Sequence, residues 1–236
     1  MNKTAQDVKQ RLRQLADKEK AKVLQGFFKT GTGEYGEGDI FLGVTVPKIR
    51  KLVREYNGPA LADAPALLTS SVHEDRLCAL LILVDAFSRG DDLLKRKIYS
   101  LYLRNIRYIN NWDLVDLSAP NIVGNYLMNR SRKPLYDLAK SNDLWKRRIA
   151  ILSTFTFLRQ NVFTDTLGIS KILLRDEHDL IHKAVGWMLR EVGKRSLSVE
   201  EKFLKQHYRT MPRTMLRYAI ERFPEAKRRK YLNGRV

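Results

Sequence analysis

The sequence predicts an all-α fold, an α-solenoid of HEAT-like helical repeats, and three observations carry that expectation. Apolar residues recur with a helical period along most of the chain, and alternating strand patterns are scarce. The segments that begin at Arg76, Trp112, Arg147, Lys183 and Met215 align so that small or slim residues share one column: Ala79, Val115, Ala150, Gly186 and Ala219, in steps of 33 to 36 residues. Trp112, Trp145 and Trp187 fall inside helix-like segments that recur at a similar interval. A solenoid would bring equivalent positions of successive repeats onto one concave wall.

The elements follow in order. Residues 5–29 read as one or two amphipathic helices, ended by the loop GTGEYGEGD at 31–39. Pro47 suits the first turn of the next helix, with Asn57-Gly58 as its stop. Helices are expected over 60–69, 74–88, 91–107, 112–128, 132–140 and 143–159, then over 164–174, 177–194, 198–208 and 212–222. Arg89-Gly90-Asp91 and Ser141-Asn142-Asp143 supply turns and caps between them. No long linker or low-complexity segment divides the chain, so residues 1–236 are expected to form a single domain.

Charge is the second strong clue. Lys and Arg number 44 against 26 Asp and Glu, a formal net charge of +18. That excess exceeds what solubility requires and implies a polyanionic partner, either nucleic acid or an acidic membrane surface. The basic residues run through the repeats as well as the tail AKRRKYLNGRV. One cysteine, Cys78, rules out internal disulfides and fits a reducing compartment. No apolar run approaches the roughly 18 residues needed to span a membrane, and the N-terminus has no hydrophobic signal core. A cytoplasmic protein is expected, associated with the nucleoid if its partner is DNA.

Several familiar chemistries are disfavoured by the motifs themselves. The loop GTGEYGEGD lacks the following Gly-Lys-Ser/Thr of a phosphate loop, follows a helix, and carries Glu34, Glu37 and Asp39, which repel phosphate. It reads as structural. His178 and His182 share a helix face, but no glutamate follows His178 in the manner of a zinc protease and no third ligand is apparent. No metal or cofactor is expected. Cys78 lies in the apolar run LCALLIL and reads as a small buried hydrophobe.

Trp112 and Asp116 are spaced four apart and share one helix face. Alone they read as a core tryptophan and a surface aspartate; likewise Trp187 and Arg148 read as a core aromatic and a surface cation. Trp145 is read as packing. Combined with the repeat register and the charge, they suggest more. Tryptophan faces stabilise nearby positive charge, a carboxylate stabilises an oxocarbenium ion and can orient water, and arginines hold phosphates. Positive charge developing on a sugar ring beside DNA phosphates describes cleavage of an N-glycosidic bond. No second carboxylate or histidine is evidently placed to protonate a leaving group. The chemistry therefore suits a base that already leaves easily, such as a purine made cationic by alkylation.

The stretches FLGVTVPKIRKL (41–52), NNWDLVDLSAPNIVG (110–124), SNDLWKRRIAIL (141–152) and IHKAVGWMLREVGKR (181–195) resemble the DNA alkylation repair enzymes, the AlkD-like alkylpurine DNA glycosylases. They occur in the family's order and span most of the chain beyond the N-terminal helix. The resemblance implies HEAT-like repeats lining a concave basic DNA-binding surface. It implies removal of cationic N3- and N7-alkylpurines from duplex DNA without flipping the base. Trp112 and Trp187 would then pack against the lesion's deoxyribose and backbone. Asp116 would stabilise the sugar cation and position the water, and Arg148 would hold the backbone, with Arg147 and Lys183 as further DNA contacts. Arg213 and Arg217 are expected phosphate contacts from charge and register only, because HYRTMPRTMLRYAIERF and the loop GTGEYGEGD look like features of one branch. No cofactor is implied, and a monomer is expected. Some relatives bind DNA without excision, so the alternative is a non-catalytic module that binds branched or damaged DNA.

Overall fold

The computed structural model describes residues 4–56 and 58–236, and among these the only β-pairing is an isolated bridge. The chain forms two compact units, residues 1–122 and 123–236. The first holds α1 (Ala5–Gln14), α2 (Lys18–Phe27), α3 (Val46–Glu55), α4 (Ala60–Leu68), α5 (His73–Arg89), α6 (Asp92–Arg104) and α7 (Trp112–Ala119). The second holds α8 (Asn125–Leu127), α9 (Lys133–Ala139), α10 (Leu144–Ser153), α11 (Phe155–Leu158), α12 (Thr164–Ile172), α13 (Asp179–Gly193), α14 (Leu197–His207), α15 (Arg213–Ala219) and α16 (Glu225–Leu232). Among the described residues no helix is long and apolar enough to cross a membrane.

Local chemistry sets most boundaries. Thr4 and Asp7 form a reciprocal capping box on α1, and Asp91 and Asp143 cap α6 and α10 as the turn residues suggest. Pro47 lies in the first turn of α3, where a missing N–H costs nothing. The expected stop at Asn57-Gly58 includes Asn57, which is outside the described residues. The expected helix over 112–128 changes character midway. Pro120 has no N–H to give to the carbonyl of Asp116, and the helix widens into a π-helical segment over Pro120–Gly124.

In the first unit α5 is the central helix, packed on α3, α4 and α7. It is buried along most of its length, its polar first turn included, and Cys78 within it is fully buried, so burial pushes the thiol pKa up to about 12. In the second unit α13 packs on α10, α14 and α15. The column of small residues lies in these cores: Ala79, Val115, Ala150, Gly186 and Ala219 are all buried. Gly186 shows why. A Cβ there would come within 2.5 Å of both the Met215 carbonyl oxygen and the Tyr218 Cβ, so α15 lies against the bare backbone of α13.

Candidate functional site

The first unit presents Trp112 and Asp116 on α7, both half-buried and one helical turn apart. The start of α7 is fixed from several directions. The buried Asn111 side chain accepts the Trp112 N–H at 2.8 Å. Asp113 Oδ1 accepts the Leu114 N–H at 2.8 Å, and its Oδ2 lies 2.8 Å from His73 Nε2. The other imidazole nitrogen of His73, Nδ1, lies 3.3 Å from Asp39 Oδ2. Asp39 in turn pairs with Arg76 at 2.6 Å.

Asp39 reaches this position because its neighbour Ile40 is bridged to the start of α5. Ile40 N–H donates to the Ser71 carbonyl at 3.0 Å, and His73 N–H donates to the Ile40 carbonyl at 2.8 Å. Glu74 fixes the following residues by accepting the N–H groups of Leu42, Gly43 and Val44. Burial opposes the charge on His73, but the carboxylates of Asp113 and Asp39 outweigh it and push the imidazole pKa up to about 9. Burial likewise opposes the charge on Asp39, and His73 and Arg76 more than offset that cost, holding its carboxyl below the usual range.

Aromatic rings continue the assembly outward. Phe41 stacks on the His73 ring at 4.5 Å, Phe28 on Phe41 at 4.9 Å, and Phe28 on Trp112 at 5.0 Å with ring planes only 10° apart. Phe27 meets the Trp112 ring edge at 5.9 Å while itself 62% exposed. A cavity of about 530 Å³ opens beside these rings, lined mainly by Val23, Leu24, Phe27, Phe28, Phe41 and Val44. The sequence did not single out His73, Asp113, Phe28 or Phe41. No local signal was available, since His73 meets Asp39 and Asp113 across 34 and 40 residues of chain.

The second unit carries Arg148 on α10 and Trp187 on α13. Arg148 is not the surface cation its sequence context allows. It is 5% exposed, and its Nη1 donates to the Leu180 carbonyl at 2.6 Å, near the start of α13. Trp187 is half-buried, its ring centroid 5.9 Å from that of Phe155. The Arg159 and Arg195 guanidiniums lie 4.6 and 6.0 Å from the Phe155 ring, an aromatic–cation group that sequence reading missed.

The remaining expected DNA contacts are placed as follows. Arg147 pairs with Asp176 at 2.6 Å and donates to the Ser141 carbonyl, so it ties two turns together. Lys183 pairs with Asp179 one turn earlier at 2.7 Å. Arg213 is exposed and donates to the Leu232 carbonyl at 2.6 Å, and Arg217 is exposed. Trp145 is half-buried.

Two alternatives considered from the sequence have structural answers. In the loop 31–39, Glu34 accepts the Gly31 N–H and Glu37 the Gly33 N–H, each at 2.9 Å, so carboxylates occupy amides a phosphate would need. His178 caps α13 by accepting the Leu180 N–H at 3.1 Å, and His182 Nε2 bonds the Asp176 carbonyl. Among the described residues no group of three or more His, Cys, Asp or Glu side chains is arranged to hold a metal ion.

A family model described as "DNA alkylation repair enzyme" matches residues 8–223 of the chain. Among solved structures, one of a predicted DNA alkylation repair enzyme from Enterococcus faecalis is similar, with a TM-score of 0.69 at 16% identity. The alignment covers 89% of this chain and 97% of that one, so the two share a fold. No curated protein matches.

Proposed function

Since the chain belongs to the DNA alkylation repair enzyme family, we propose that it is a monofunctional DNA glycosylase that hydrolyses the N-glycosidic bond of N3- and N7-alkylated purines in duplex DNA. The observation that carries this reading is the pairing of Trp112 and Asp116 one turn apart on a helix whose first turn is held rigidly. A purine alkylated at N3 or N7 is cationic and leaves without prior protonation, so the enzyme's task is to stabilise the sugar that remains. Asp116 supplies the negative charge that favours an oxocarbenium-like transition state, and it orients the water that attacks the anomeric carbon. The bond from that carbon to the purine nitrogen breaks, the electron pair leaves with the base and neutralises it, and water replaces it to give an abasic site. One water proton is released in the process.

Trp112 and Trp187 offer aromatic faces to the deoxyribose and its developing charge. Arg148, seated against the Leu180 carbonyl, directs positive charge toward a backbone phosphate, with Arg147, Lys183, Arg213 and Arg217 as further DNA contacts. Chemistry at the sugar requires no reading of the base, so the reaction proceeds without the extrusion that base-modifying enzymes normally need. The enzyme acts as a cytoplasmic, nucleoid-associated monomer whose single domain uses HEAT-like repeats to line a basic surface. It requires no metal or cofactor because its leaving group is already activated.

Release of 7-methylguanine or 3-methyladenine from methylated duplex DNA tests the proposal. A purified protein that binds this DNA but releases neither base would overturn it and leave the non-catalytic DNA-binding alternative.

A further inference from the structure

We propose that His73 is a positioning residue, a buried imidazolium that fixes the start of α7 and thereby sets where Trp112 and Asp116 point. Two independent connections carry this. The first is polar. His73 Nε2 lies 2.8 Å from the carboxylate of Asp113, the residue that follows Trp112 and precedes Asp116 by three. The second is through rings: Phe41 lies on His73, Phe28 on Phe41, and Trp112 on Phe28, with successive centroids 4.5, 4.9 and 5.0 Å apart.

The geometry favours a doubly protonated imidazole. Both ring nitrogens face carboxylates, Asp113 and Asp39, and a neutral imidazole has only one N–H to give. Charge counting agrees. The two aspartates face one permanent cation, Arg76, within this buried group, and protonated His73 brings the four side chains to neutrality. Neighbouring Glu74 is engaged with the N–H groups of residues 42–44. Deprotonation would therefore remove one hydrogen bond and leave net negative charge in the core, and α7 would lose an anchor. A shift of a few tenths of an ångström in Asp116 is costly in a reaction that depends on placement.

The inference rests on the proposed function only for its kinetic consequence, so it is tested first without DNA. In a variant that keeps Trp112 as its sole tryptophan (Trp145→Phe, Trp187→Phe), emission is followed as pH is raised. The expected result is a step with a midpoint near 9, the value at which His73 loses its proton. The step should vanish when His73→Gln is added. Tyrosine ionisation, near pH 10, is common to both proteins and is removed by the comparison. Absence of the step, or its persistence with Gln at position 73, overturns the proposal.

In the wild-type background, His73→Gln should lower kcat for base release by about tenfold or more, with duplex affinity changed less than about twofold. An unchanged kcat would also overturn the positioning role. If the wild-type protein releases no base, the proposed function fails, while the emission titration still decides the case of His73.

Discussion

At the residue scale the roles proposed for Asp116 and His73 differ, and substitution should separate them. In the proposed reaction, Asp116→Asn removes the charge that would favour the sugar cation while keeping the side chain's size. It should lower the rate of base release by about a hundredfold or more while DNA affinity stays within severalfold. Arg148→Ala should weaken binding and excision together, since a buried arginine that holds the start of α13 is lost along with its cation. The pH dependence of stability follows from two buried groups. His73 is raised from 6.5 to about 9, and Glu200 on α14 is raised from 4.5 to about 8 by burial and by neighbouring Glu201. Both hold their protons more tightly folded than unfolded. Their contributions are complete below the unfolded values and are lost as pH rises through the folded ones. Thermal unfolding should show the melting temperature falling from near neutrality to pH 9, and His73→Gln should flatten the share that His73 contributes. A curve that is level over this range in the wild type would contradict both assignments.

Helix contacts explain which parts of the fold the sequence could reveal. The register of Ala79, Val115, Ala150, Gly186 and Ala219 was legible because all five are buried and recur with the repeat, and at Gly186 the approach of α15 leaves no room for a side chain. Gly186→Ala should destabilise the protein by about 1–3 kcal/mol, as an added methyl group forces α15 away from α13. Calorimetry should register this as a drop of several degrees in melting temperature. The helix α16 went unrecognised because its sequence, EAKRRKYL, is dominated by charge and buries only Tyr231. The network around His73 went unrecognised for a different reason. Its partners are polar, carry no period and come from three distant stretches of chain, so only folding brings them together. The helix carrying Trp112 and Asp116 could be read, whereas the anchoring of that helix could not.

For the whole molecule the controlling quantity is the net charge of +18, distributed along the chain. Each phosphate contact releases counterions on binding, so affinity for undamaged duplex should fall by about a thousandfold or more between 50 and 200 mM salt. Fluorescence anisotropy on a labelled duplex measures this directly, and a weak salt dependence would count against phosphate-dominated binding. A practical consequence comes from Cys78, the chain's sole cysteine, which is fully buried and holds its proton until about pH 12. Maleimides react with accessible thiolates, and at neutral pH this thiol offers neither access nor charge. A cysteine introduced at an exposed position, as in Lys205→Cys, would therefore be the only group to take a dye. The native chain is already a clean background for single-molecule observation of a repair protein searching DNA.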